Sequence, residues 1–369
     1  MKERKNVLLP VLRELVLTGG RPILAVVLAL TVGAFLIIAY GKNPLEAYAA
    51  MLEGAIGSKA AIANTGVRTA PLLLGGLAVA FGFKAGLLNV GVEGQIYAGG
   101  AAAAAVGITP LPVPGWLHVT LAVIAGFIGG VLWGVIPALL KAYRGISEIV
   151  ITLMLNYVGI HFASLLIHEP SPLAKIDAFY PQSPNILPSA RLPVLIKGTS
   201  LHAGLIIGLL FAVIIHLALR YTPFGVRTRM TGQNPEAARY AGINVKKQII
   251  IVLLLSAGLG GLVGTGEVLG LKWALYDFFA VGLGYDGIAV ALMANSNPLA
   301  VILTALFFGA LRAGAGKMQV AVGIETPIAQ VIQALAVLFV IAIGFGARMR
   351  RTRLERGQEP EQEAVAHGG

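Results

Sequence analysis

Apolar residues run along this chain in long blocks, and polar residues collect in the gaps between them. A helix needs about 20 apolar residues to cross a bilayer. The pattern predicts ten spans, near 23–40, 62–82, 86–107, 116–140, 146–167, 201–219, 249–270, 284–296, 298–314 and 326–346. The eighth is short and its boundary with the ninth is weak, which leaves nine or eleven as alternatives. The expected fold class is an all-α polytopic membrane protein. Segment 1–22 places basic residues ahead of an apolar run, as a signal peptide does. That run is about 18 residues and no A-x-A-like site follows it, so it reads as an uncleaved first span.

Two gaps are long. Residues 168–200 carry Pro170, Pro172, Pro181, Pro184, Pro188 and Pro193, which stiffen an extended path. This stretch is either a connector or a docking surface for an external partner. Residues 220–248 contain "TGQNPEAARYAGIN". Asn234 is a good N-cap, Pro235 suits a first turn, and Gly242 suits an end, so a short helix is expected between them. Such a helix outside the bilayer is an element that another protein can grip. The tail 347–369 is basic, then acidic, without apolar periodicity, and reads as solvated.

Composition agrees with the pattern. Charged residues make up 12% of the chain, against about 25% in soluble domains. Mean hydropathy is +0.81. The net charge of +11 does not point to nucleic acid, because its distribution has another cause. With the N-terminus inside, nineteen of the 28 Lys and Arg fall in inner segments, eight fall outside, and Arg68 lies within a span. That bias orients the chain with both termini cytoplasmic. Cysteine is absent, so disulfides and thiol chemistry are excluded.

Catalytic motifs are missing. "GALRAGAGKMQ" is only a decoy for a phosphate-binding loop, since Met318 stands where Ser or Thr is needed. There is no HExxH and no His/Glu spacing that suits a metal. The near-empty catalytic inventory argues against a membrane enzyme, and the chain reads as one that binds no nucleotide or cofactor of its own.

Polar residues inside the apolar blocks are the informative ones, because ionisable groups at membrane depth face a cavity or a partner. In "NVGVEGQ", read as helix, Asn89, Glu93 and Tyr97 share one face, while Gly91, Gln95 and Gly99 share another. Glu93 is either a pathway residue or a structural clamp with Arg68. Arg68 is either that ion-pair partner or a substrate contact. Asn156 is open between packing and substrate contact. Glu267 is expected in a wetted position, and Asp286 is expected to cap the eighth helix. Three GxxxG pairs, Gly130/Gly134, Gly260/Gly264 and Gly266/Gly270, suit packing within the chain, with dimerisation as the alternative. An ion-coupled secondary transporter, with Glu93 or Glu267 as carrier, is a rival at this level.

"GQNPEAARYAGIN" resembles the EAA-type loop of ABC-transporter permeases, in the branch importing branched-chain amino acids, ribose and simple sugars. "GLLNVGVEGQ" is similar to the "FNIGVEGQ" segment of its nucleoside and simple-sugar members, with LLNV in place of FNI. "YDGIAVALMANSNPLAVILTALFFGAL" is similar to the later spans of that group. The resemblance covers nearly all of 20–346. It implies a nucleoside or simple-sugar importer in a bacterial inner membrane. Its implied partners are cytoplasmic ATPases that hydrolyse the ATP, a related or identical second permease, and an extracytoplasmic binding protein. It implies a permease domain over 23–346, with Asn89, Glu93, Gln95, Asn156 and Arg68 on the substrate path. Gly232, Pro235, Glu236, Ala237, Ala238 and Gly242 are then the ATPase-coupling residues.

Overall fold

The structure, a computed structural model, describes residues 8–343, with side chains from Ile23 onward. The tail 347–369 and the whole of segment 1–22 therefore lie outside the described side chains, and the tail lies outside the described backbone as well. Among the described residues the chain is helical, with isolated bridges at Gln182–Tyr276 and Val194–His202 and no strand.

The helices are α1 Leu8–Ala39, α2 Pro44–Ile56, α3 Lys59–Lys84, α4 Val92–Ile108, α5 Gly115–Leu139, α6 Glu148–Ile167 and α7 Gly204–Tyr221. They continue with α8 Pro223–Gln233, α9 Pro235–Tyr240, α10 Val245–Gly266, α11 Leu283–Met293, α12 Pro298–Val322 and α13 Pro327–Ile343. Every apolar block expected from the sequence overlaps one of these helices. Six of them are long and apolar enough to cross a membrane: α3, α5, α6, α7, α10 and α12. The count is seven if α1 and α2, which bend by 119° at their junction, form one broken span. Gly41, at φ +71°, turns the chain there, and Asn43 Oδ1 accepts the Leu45 N–H to start α2.

The shorter helices have local causes. Residues 85–91, expected as helix from 86 on, are an irregular segment, so α4 starts only at Val92. The weak boundary between the eighth and ninth blocks is a turn in which Asn295 and Ser296 are both left-handed, and Pro298 opens α12 just beyond it. Side chains cap several starts. Ser58 Oγ accepts from Ala61 N at 3.0 Å, and Asn244 Oδ1 accepts from Lys247 N at 3.0 Å.

The chain divides into two units. One comprises residues up to Ala49 and from Met318 on. Within it, Tyr48 donates to the Leu30 carbonyl at 2.6 Å, and Gly33 lies against Ile332.

The other unit, Ala50–Lys317, is built around α3 and α10. These bury 83% and 67% of their apolar windows, against 22% for α5, 22% for α6 and 28% for α7. So α3 and α10 form the centre, and the other three present apolar faces outward. On α5 that face is Ile124, Ile128, Leu132 and Ile136, at helical spacing. Its opposite face carries Gly126, Gly130 and Gly134. A Cβ on Gly130 would meet Gly261 of α10, and one on Gly99 of α4 would also strike Gly261. Small residues let these three backbones meet directly, as the packing alternative for the glycine pairs required. Gly260 and Gly264 pack on Gln95 and Ile96 of α4, and Gly270 packs on the ring of His202.

The proline-rich stretch 168–200 is strapped to the segment that follows α10. Ser183 N donates to Leu275 O at 2.9 Å, Ile186 N to Trp273 O at 2.7 Å, and Leu192 N to Leu269 O at 3.1 Å. Ile186 and Ala190 are fully buried beneath it, whereas Ile176, Phe179 and Tyr180 stand exposed.

Candidate functional site

The irregular segment 85–91 is the centre of the site. A helix end leaves backbone groups without partners, and inside an apolar bundle no water replaces them. Gly86, at φ +73°, turns the chain out of α3. Leu88 N then donates to Glu148 Oε1 at 3.3 Å, and Glu148 pairs with Lys141 at 2.7 Å.

Asn89 is fully buried. Its amide and that of Gln95 form a reciprocal pair, Nδ2 to Oε1 at 3.0 Å and Nε2 to Oδ1 at 3.1 Å. Oδ1 also accepts from Gly91 N at 3.0 Å. Nδ2 also donates to Ser256 Oγ of α10 at 2.9 Å, and that hydroxyl donates to Ala78 O of α3. Asn89 therefore ties three helices at the point where one of them breaks. The expected face shared by Asn89 and Glu93 does not form, because Asn89 precedes the helix. Its partner is Gln95.

Asn156, from α6, caps the same break. Its Oδ1 accepts from Gly94 N at 2.8 Å, one of the first-turn donors of α4. Its Nδ2 donates to Val90 O at 2.9 Å and to the Tyr285 hydroxyl at 3.2 Å.

Glu93 caps a different helix. Its carboxylate accepts from Gly282 N at 2.6 Å and Gly284 N at 2.7 Å, at the start of α11. An anion there is favoured by the helix dipole and by the free N–H groups. Tyr97, one turn along, accepts from Ala280 N and stacks edge-on with Phe279 at 4.9 Å. The clamp expected between Glu93 and Arg68 is absent, because backbone N–H groups satisfy the carboxylate. Asp286, expected to cap α11, instead pairs with Arg312 at 2.5 Å. Glu267, expected to be wetted, is buried and pairs with Lys272 at 3.1 Å.

Above α11 lies a cleft of about 390 Å³, bounded by α3, by the segment after α10 and by α12. Arg68, Lys272, Phe278, Phe279, Val281 and Arg312 are among its lining residues. Lys272 donates to Glu267 and to the Phe279 carbonyl. Arg68 is exposed, and among the described residues it makes no hydrogen bond, ion pair or ring contact. Phe278 is half exposed and Trp273 nearly so, and both have left-handed backbones, at φ 49° and 54°. A left-handed bulky residue costs about 1–2 kcal/mol. Arg191 stacks over Trp273 at 4.5 Å, which holds that end of the segment. Of the residues placed on the substrate path, Asn89, Glu93, Gln95 and Asn156 come together as a buried frame, and Arg68 alone faces open space. Phe278 carries no signal in the sequence beyond lying in an apolar loop.

At the other end, α9 forms as the sequence predicts. Asn234 Oδ1 accepts from Glu236 N and Ala237 N, both at 3.0 Å, and Pro235 takes the first turn. Gly242, at φ +78°, ends it, with Ile243 N returning to Ala238 O at 3.0 Å. The helix α8, which precedes it, was not expected. Gly232, at the end of α8, lies on the turn after α3. A Cβ there would sit 2.6 Å from Lys84 O and 2.7 Å from Gly86 N. Glu236 and Tyr240 are exposed, and Ala238 is buried.

The family described as branched-chain amino acid transport system, permease component, matches residues 61–342. The chain is similar to the guanosine ABC transporter permease protein NupP of Bacillus subtilis (strain 168), 34% identical over 320 residues, or 86% of this chain and 92% of the relative. It is similar to the nucleoside ABC transporter permease protein NupB of Lactococcus lactis subsp. cremoris, 32% identical over 88% of this chain and 90% of the relative. It is equally similar, at 32% over 90% of both chains, to the glucose ABC transporter permease protein TsgB13 of Haloferax volcanii.

Proposed function

Since the chain belongs to the family of branched-chain amino acid transport system permease components, and so is the permease subunit of an ABC importer, we propose that its cargo is a nucleoside. The observation that carries this is the pair of relatives named for guanosine and for nucleosides, aligned over 86% and 88% of the chain. A simple sugar is the second reading, and the glucose permease of similar identity favours it.

In this proposal α1, α3–α7 and α10–α13 supply ten membrane passes, with both termini cytoplasmic and the protein in a bacterial inner membrane. The excess of Lys and Arg in alternate gaps supports that orientation. Loop 168–200 is then external and meets a substrate-binding protein. The loop 220–248 is cytoplasmic, and a partner ATPase that hydrolyses the ATP grips α9 through Pro235, Glu236, Ala237 and Gly242, with buried Ala238 seating the helix. A second permease, related or identical, completes the path.

Among the candidate path residues, Arg68 contacts the cargo. Asn89, Glu93, Gln95 and Asn156 are the frame that keeps the path open. Gly232 joins the gripped loop to that frame, because it rests on Gly86, three residues before Asn89. Movement of α9 is thereby transmitted to the break at the start of α4.

The test is uptake of labelled guanosine by cells carrying this permease with its ATPase and binding protein. Unlabelled nucleosides should compete, and glucose and ribose should not. Competition by sugars alone replaces the nucleoside reading with the sugar one. Uptake that survives ATP depletion but stops when the proton gradient collapses overturns both.

A further inference from the structure

The cleft beside α11 has three properties that the frame does not explain. First, it has room. At about 390 Å³ it lies within the roughly 300–1,000 Å³ of small-molecule sites. Second, its cations are unequal. Lys272 is held by Glu267 and Arg312 pairs with Asp286, whereas the planar fork of Arg68 is uncommitted. Third, it contains a strained aromatic. Phe278 adopts a left-handed backbone and is half exposed, with its ring T-shaped to that of His161 at 6.5 Å between centroids. Strain of this kind persists where the surrounding structure fixes it, and it concentrates at ligand sites.

We propose that this cleft is the nucleoside contact on the translocation path, with Phe278 beneath the base and Arg68 on the base's acceptor edge. The proposal rests on the nucleoside reading above. An aromatic face binds a base by stacking, without regard to its sequence of donors and acceptors. A guanidinium donates two parallel hydrogen bonds to neighbouring acceptors, as it does to the O6 and N7 atoms of guanine. The combination selects a 6-oxopurine nucleoside over a sugar, which has no such edge. The surrounding ion pairs hold the cleft walls without adding net charge, which suits an uncharged cargo.

The experiment uses the whole importer in liposomes, with guanosine-loaded binding protein in excess. Two quantities are measured: ATP hydrolysis, and guanosine imported per ATP. Arg68→Lys retains the charge and loses the fork, and Phe278→Leu retains bulk and loses the ring. Each should lower guanosine imported per ATP about tenfold, the scale of one bidentate base contact, with ATP hydrolysis within about twofold of wild type. Wild type should also carry 7-deazaguanosine less efficiently than guanosine, and Arg68→Lys should remove that difference. Equal falls in hydrolysis and import would mark a structural role and overturn the proposal.

A second measurement does not depend on those variants. The chain has no cysteine of its own, so a single Val281→Cys can be labelled by a charged thiol reagent. Guanosine-loaded binding protein should slow that labelling, and unloaded binding protein should not. If wild type imports guanosine while both variants match it and labelling is unprotected, the cleft assignment fails and the nucleoside reading stands. If wild type imports no nucleoside, both fail together.

Discussion

Asn89, Glu93 and Asn156 each meet backbone groups that would otherwise have no partner. Glu93→Gln exchanges one accepting oxygen for an amino group that faces an N–H donor at Gly282 or Gly284. A buried polar group left unpaired costs about 1–3 kcal/mol. The purified variant should therefore melt lower than wild type. Arg68→Leu should melt near wild type, because no pair is broken. The double variant Glu93→Gln with Arg68→Leu should equal the sum of the two within about 0.5 kcal/mol, as unlinked sites do. Calorimetry that finds a larger coupling would restore the ion pair which the sequence had suggested. That pair was a reasonable inference from two lone charges in apolar blocks. What the sequence concealed was a third kind of partner, the bare amides of two glycines 189 and 191 positions away.

Among the elements, those whose determinants are local were legible. Asn234, Pro235 and Gly242 specify α9 within nine residues, and the structure has the same cap, first turn and left-handed end. The apolar blocks likewise located the long helices, since hydrophobic length needs no knowledge of neighbours. Gly91 and Gly94 beside Glu93 suggested a locally unwound turn, but the break lies ahead of Glu93, at 85–91, where the apolar run concealed its extent. Its stability comes from Ser256 and Asn156, which are remote in sequence. The helix α8 was missed because "PFGVRTRMTGQ" is polar and lacks an apolar stripe. Two glycines at this end test the division between local and tertiary causes. Gly232→Ala would press a methyl onto the α3 turn. It should cut binding-protein-stimulated ATP hydrolysis by at least about fivefold, the low end of a typical coupling energy. Gly242→Ala meets open space and bears only the left-handed penalty of about 1–2 kcal/mol. Its loss of hydrolysis should be smaller than that of Gly232→Ala. Equal effects from the two would mean that α8 does not carry motion from α9.

For the whole molecule the open quantity is orientation, and the absence of native cysteine makes it measurable. Single cysteines at Phe179 in loop 168–200 and at Glu236 in α9 are both at exposed positions. In intact cells an impermeant thiol reagent should label the first, and should reach the second only after the membrane is opened. Labelling of the second from outside would invert the topology and remove α9 from reach of any ATPase.

The hold of Glu93 on Gly282 and Gly284 also decides which parts of the protein can slide. Drawing α11 off α4 would strip a buried carboxylate of both donors, with no solvent at hand. The two helices should therefore move as one body in any transport motion. The seam of Gly99, Gly130 and Gly261, between α4, α5 and α10, is bonded as well, by His118 of α5 to the Val106 carbonyl at 3.0 Å and, through Gln95 and Asn89, to Ser256 of α10. Held at once to α5, α10 and α11, α4 should be the fixed post about which other parts of the bundle move.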